Sequence, residues 1–253
     1  MHTEDEFLKL ASEEGQLTDE EIAFLLTVLT DAKANIIREV ESFYRKYGKD
    51  GIVTYTEARK YVSAKERKRR MLVLFLAIKA ILHDAIANIS ARVANFMDIL
   101  AATEYEFFDS EIPEDSPNEV AWGVGELTWR ERLLEDEELW LAYLLTQLRQ
   151  AWIRRQTIDD VIAIIDGRFG TMENALARLV DTEVTALTSD VRRRIFRDLG
   201  IEEYEFYTRV DERRCEVCGS MHGMRFPITQ YEVGVTAPPM HPRCRCWTVP
   251  VTD

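Results

Sequence analysis

Residues 78–100 read IKAILHDAIANISARVANFMDIL, and in them Ile78, Ile81, Leu82, Ala85, Ile86, Ile89, Val93, Phe96, Met97 and Leu100 recur three and four positions apart. That period puts the apolar side chains on one face of a helix. The stretch continues an apolar run, Met71–Ile78, which follows the basic run Lys65-Glu-Arg-Lys-Arg-Arg70. One long helix is therefore expected from about Lys65 to Ala102. Lys79, His83 and Asp84 interrupt the apolar run well short of the roughly 20 residues a membrane span needs, so a buried helix is expected and no membrane partner.

Upstream, Ile22, Leu25, Leu26, Leu29, Ala32, Ile36, Ile37 and Val40 show the same period. Thr18-Asp-Glu-Glu21 reads as a capping box opening that helix, and Gly48 and Gly51 close it after Tyr47. A short helix is expected over about Thr56–Val62. Two long helices so connected suggest an antiparallel hairpin. From 103 to 128 the pattern breaks at Pro113, Pro117, Gly123 and Gly125, among acidic residues. Helices resume over about Leu133–Arg154. Thr157 then caps a short helix ending at Gly167, and a last long one runs from about Thr171 to Leu199, stopped by Gly200.

After Gly200 the period becomes two: Tyr204, Phe206, Thr208 and Val210 alternate with Glu205, Tyr207 and Arg209. Further short strands are expected near Met224–Phe226 and Cys246–Pro250. No internal repeat or low-complexity tract is evident. The expected fold class is mainly α with a small α+β carboxy-terminal module. Its regions are a helical hairpin over 1–105, an acidic Pro/Gly linker or arm over 106–132, and helices followed by a β-hairpin with a Cys/His cluster over 133–253.

With 253 residues, 46% of them hydrophobic, the chain is able to bury a core. A net charge of -13 opposes broad coating of DNA and favours protein partners. The acidic start, Met1-His-Thr-Glu-Asp-Glu6, has no apolar core, so no secretory signal is expected.

All four cysteines lie in Cys215-Glu-Val-Cys218-Gly219 and His241-Pro-Arg-Cys244-Arg-Cys246. Thiol pairs two residues apart, on two arms brought together by a hairpin, suit a structural zinc in a reducing compartment. Cys215, Cys218 and Cys244 are the expected ligands, with His241 and Cys246 competing for the fourth place. A catalytic zinc lacks an accompanying HExxH motif. A cysteine nucleophile with His241 or His222 as base lacks an orienting third group. Asp211, Arg213, Gly223 and Arg245 are candidates for supporting the cluster. For the Thr182-Glu183 pair two readings stand: a back-bonded threonine beside a solvated glutamate, or a contact of Glu183 with the arginine-rich carboxy-terminal module.

The string Thr208-Arg-Val-Asp211-Glu-Arg213-Arg-Cys215-Glu-Val-Cys218 leads into Met221-His-Gly223-Met-Arg-Phe226, then into Pro238-Pro-Met-His241-Pro-Arg-Cys244-Arg245-Cys246. It resembles the carboxy-terminal domain of the tailed-phage minor head protein, or head morphogenesis, family, the Mu F-like domain. Upstream, Ala177-Arg-Leu-Val-Asp181-Thr182-Glu183 resembles the family's long helix, with Asp181 where arginine is common. The resemblance spans about 135–253.

It implies a structural virion protein, not an enzyme, that binds the portal, the scaffold or the major capsid protein. It further implies a place inside the capsid near the portal, with host cytoplasm as the site of assembly, and an influence on DNA packaging or ejection. Packaged DNA is a possible contact, through Lys65–Arg70. The ending at Asp253, seven residues after Cys246, is expected to leave no room for an effector domain. The alternatives are a zinc- or thiol-dependent hydrolase and a nucleic-acid-binding module.

Overall fold

The computed structural model describes residues 4–53, 63–114, 119–123, 126–209 and 214–251. Four long helices dominate: α1 (Glu4–Tyr47), α2 (Ala64–Phe107), α3 (Trp129–Ile153) and α4 (Ile158–Asp198). A small sheet follows, formed by β1 (Glu203–Thr208), β2 (Arg225–Pro227) and β3 (Cys246–Pro250), with the short helix α5 (Glu216–Met221) between β1 and β2. The mainly helical class with a small carboxy-terminal α+β module is thus what the chain adopts. The expected helix over 56–62 lies outside the described residues.

The buried stripe of each long helix recurs at intervals of eleven. On α1 positions 7, 18, 29 and 40 are buried, on α2 78, 89 and 100, on α3 129, 140 and 151, and on α4 161, 172 and 183. Eleven residues over three turns is close to the natural α-helical period, so each stripe drifts little around its helix. The stripe is not purely apolar: Glu14, Glu21, Glu104, Glu137 and Glu183 occupy it and are buried.

Several boundaries differ from the sequence reading. Helix α1 starts at Glu4, and Thr18 lies inside it, its hydroxyl donating to the Glu14 carbonyl at 2.7 Å. Thr18 is therefore not a cap; a threonine back-bonded to the preceding turn satisfies itself without ending the helix. Helix α4 runs unbroken through Gly167 and Gly170. A glycine inside a helix costs only about 1 kcal/mol, which the burial of Phe169 and Met172 outweighs. The capping box at Thr157 is present: its Oγ1 accepts the Asp160 N–H at 3.2 Å, while Asp160 Oδ2 accepts the Thr157 N–H at 2.9 Å. Gly200, at φ +68, closes α4, with the Ile201 N–H reaching the Phe196 carbonyl at 2.8 Å.

The chain resolves into two compact units: one of 1–23, 91–132 and 176–253, the other of 24–90 and 133–175. In the second unit four helical segments present Leu25, Leu29 and Ile36; Ile78, Leu82 and Ile86; Trp140, Leu144 and Leu148; and Val161, Ile165 and Phe169 to the interior. Trp152 stacks on Phe43 and on Phe75, and the Arg70 guanidinium lies over the Tyr47 ring. By length and composition alone, Lys68–Phe107 of α2 is apolar enough to cross a membrane. Its stripe of Ile78, Leu82 and Ile89 is buried within protein, while only 33% of the apolar window as a whole is buried.

In the first unit α1 and α2 run antiparallel, since Phe7 meets Phe107 while Glu21 accepts two hydrogen bonds from Arg92. The sheet order is β2-β1-β3, both pairs antiparallel, with Thr208 opposite Cys246. Tyr204, Phe206 and Thr208 of β1 face inward. Arg192 of α4, 2% exposed, is held by Glu104 of α2 at 2.9 Å, by Glu14 of α1 at 3.5 Å and by the Thr248 carbonyl of β3 at 3.3 Å. Burial works against the charge of Arg192, but Glu104 and Glu14 raise its affinity for a proton. Burial, and then the charge of Glu104, push the Glu14 carboxyl well above its usual range, against the pull of Arg192.

Candidate metal centre

The first arm begins where β1 hands over to α5. Cys215 is the N-cap of α5, its backbone extended at φ -77 and ψ 160, and its sulfur accepts the Cys218 N–H at 3.3 Å. The Gly219 N–H reaches the Cys215 carbonyl at 2.9 Å. One short turn thereby brings Cys215 and Cys218 round to the same side.

The second arm is fixed by α4. The Arg243 N–H donates to the Thr182 hydroxyl at 2.9 Å, and the Thr185 hydroxyl donates to the Cys244 carbonyl at 2.9 Å. The Cys244 N–H closes a turn on the His241 carbonyl at 3.1 Å. Asp181 meets the Arg243 guanidinium at 3.7 Å.

The two arms converge. His241 Nε2 lies 3.2 Å from Cys215 Sγ and 3.3 Å from Cys218 Sγ; Cys218 Sγ lies 3.8 Å from Cys244 Sγ. Cys246 joins Cys218 and Cys244 in a second group, whose sulfurs all lie within 4.8 Å of one another. Both groups are able to hold a metal ion, and they share Cys218. Phe206, Met221, Phe226 and Met240 pack around the cluster and make its surroundings apolar.

His241 Nδ1 sits 2.8 Å from the Pro242 carbonyl. A carbonyl only accepts, so Nδ1 carries the proton and the Nε2 lone pair faces the thiols. The thiols are not alike. A hydrogen bond from Cys246 holds Cys244 down to about 5, and that bond, with burial, pushes Cys246 up beyond the thiol range. Burial and the neighbouring Cys244 push Cys218 up to about 12. Burial also raises Cys215, but the Cys218 amide and His241 more than offset it, leaving it lowered. Burial lowers His241, while the Pro242 carbonyl and Cys244 leave it raised overall.

The other sequence candidates fare differently. Gly223 makes a turn at φ +78, its N–H on the Phe206 carbonyl at 2.8 Å; a side chain there would strain a left-handed backbone. Arg245 is half-buried beside the cluster, in the wall of a cleft of about 1000 Å³ that also includes His222 and Arg209. His222 accepts the Thr208 N–H at 3.3 Å. Asp211 and Arg213 lie outside the described residues.

The expected contact of Glu183 with the carboxy-terminal arginines is corrected. Glu183 is buried, accepting from Trp122 Nε1 at 2.9 Å and from Arg132 at 3.0 Å. Burial raises its carboxyl to about 7, against the pull of Trp122 and Arg132. The neighbouring Thr182 makes the contact with the second arm instead. Thr182 and Thr185, three apart on α4, hold the second arm, a contact the sequence reading did not make; their spacing on one helical face was the available signal.

No curated protein and no solved structure matches the chain. Residues 143–249 match the family described as Phage Mu protein F like protein. That match spans the end of α3, all of α4, both cysteine arms and nearly all of the sheet, the same region in which the motif string was read. From residue 143 to residue 249, then, the chain is similar to the phage Mu protein F-like proteins.

Proposed function

We propose that this chain is a structural component of a tailed-phage head that acts in head morphogenesis, and that zinc staples its carboxy-terminal module. The metal reading rests on one observation: sulfurs and an imidazole nitrogen from two separate arms stand 3.2, 3.3 and 3.8 Å apart. Zinc–sulfur bonds of about 2.3 Å and zinc–nitrogen bonds of about 2.0 Å give tetrahedral edges of roughly 3.8 Å and roughly 3.5 Å. We assign Cys215, Cys218, Cys244 and His241 as ligands. Cys246 keeps its proton and donates to the Cys244 sulfur from behind. Four protein donors close the coordination shell, which suits a structural ion and leaves no position for a reacting water.

The family match supports work by recognition, with the portal, scaffold or major capsid protein as partner and the capsid interior near the portal as location. The test is twofold. Purified chain should carry one zinc equivalent, lost in Cys218→Ser. Fractionated proheads and virions should contain the chain in fixed ratio to the portal protein; its absence from both would sink the head assignment while leaving the zinc assignment standing.

A further inference from the structure

Two exposed helical faces of the second unit are apolar, and they carry opposite charge. On α2, Lys65, Lys68 and Arg69 lead into Leu72, Val73 and Leu76, which are 56%, 62% and 56% exposed. Spacings of three and four keep these six on one side of the helix, opposite the buried Leu74, Ile78 and Leu82. Arg70, at the margin, is turned away onto Glu66 and the Tyr47 ring. On α3, Leu134, Glu135, Glu138, Leu139 and Ala142 form a second exposed stripe, with Leu139 65% exposed. Its opposite side buries Leu133, Trp140 and Leu144. Large apolar side chains bunched on an exposed helical face mark a surface that meets another molecule.

We propose that the α2 stripe of one copy docks on the α3 stripe of a second copy of this chain. Each stripe has an apolar centre flanked by charge, basic on one and acidic on the other, so apolar contact and ion pairing coincide in register. The net charge of -13 works against anionic lipid and nucleic acid, whereas a basic stripe on an acidic protein finds its complement on another copy. The two surfaces are unlike, so a reciprocal pairing closes a dimer and a one-sided pairing continues into a ring or row. The inference rests neither on the head assignment nor on the metal.

Sedimentation equilibrium of the full chain, at low and at high salt, tests it. Wild type should self-associate, and more weakly at high salt. Lys68→Glu with Arg69→Glu should weaken association at least tenfold, as should Leu72→Glu or Glu135→Lys with Glu138→Lys. All these positions are exposed, so circular dichroism should show an unchanged fold. Mixing the two charge-reversed variants should restore association that neither shows alone. A wild type monomeric at every concentration, or association indifferent to both reversals, would overturn the proposal. So would flotation with anionic phospholipid vesicles, or a duplex-DNA shift, that Leu72→Glu or the α2 reversal abolishes, since either assigns the stripe to a different partner.

Discussion

The Pro242 carbonyl, 2.8 Å from His241 Nδ1, decides which nitrogen of that imidazole faces the thiols of Cys215 and Cys218. A backbone group on one side of the ring thereby sets the chemistry available on the other. On this geometry we propose His241, ahead of Cys246, as the fourth ligand.

The ranking has a direct readout. His241→Ala should lose the bound zinc, measured by mass spectrometry of the desalted protein. Cys246→Ser should keep one equivalent, because a serine hydroxyl still donates towards Cys244. Cobalt substituted into wild type should show the absorption of three thiolates and no exchangeable water. Retention in His241→Ala together with loss in Cys246→Ser would reverse the assignment.

Thr182 anchors the second arm through the Arg243 N–H. Thr182→Val keeps the shape but leaves that amide without its acceptor, at a cost of about 1–3 kcal/mol. In a chain of this size each kcal/mol lowers the melting temperature by about 2–4 °C. Zinc should also pass faster to a competing chelator. An unchanged transfer rate would mean that the arm holds its shape without α4.

The Arg192 site separates two carboxylates that look alike in sequence. Arg192→Met leaves Glu104, 0% exposed, without its cation, and thermal or denaturant unfolding should report a loss of about 3–5 kcal/mol. Glu14→Gln should cost less than Arg192→Met, since Glu14 meets the guanidinium only at 3.5 Å and burial opposes its charge. Equal losses in the two variants would contradict the lesser part of Glu14 in holding Arg192.

Glu183 makes stability depend on pH. Its carboxyl is raised from 4.5 to about 7 in the folded state, so the folded chain binds the proton more tightly. Stability from this group is full below pH 4.5 and is lost as pH rises through about 7. The loss is on the order of 3 kcal/mol. Glu183→Gln keeps an acceptor for Trp122 and should flatten that stretch of the stability curve, measured by urea unfolding from pH 5 to 8.

The helices were legible because their apolar residues recur, and the cysteine arms because ligand spacing is short-range chemistry. What escaped reading has a common cause. The buried stripe carries glutamates, so Glu14, Thr18 and Glu21 hid the first turns of α1 from an apolar pattern, and Thr18 and Glu21 looked like a cap. Gly167 looked like a stop because local rules do not weigh Phe169, buried two residues on. Thr182 and Thr185 meet Arg243 and Cys244 across some sixty positions of chain, and no local pattern announces such a contact.

Arg192 takes partners from α1, α2 and β3, and Thr248 is the last of them to be synthesised. Until translation has passed that threonine and the ribosomal tunnel has released it, the guanidinium lacks its final carbonyl. Consolidation of this site therefore needs the chain's last strand, and a truncation before β3 should leave the guanidinium short of that partner.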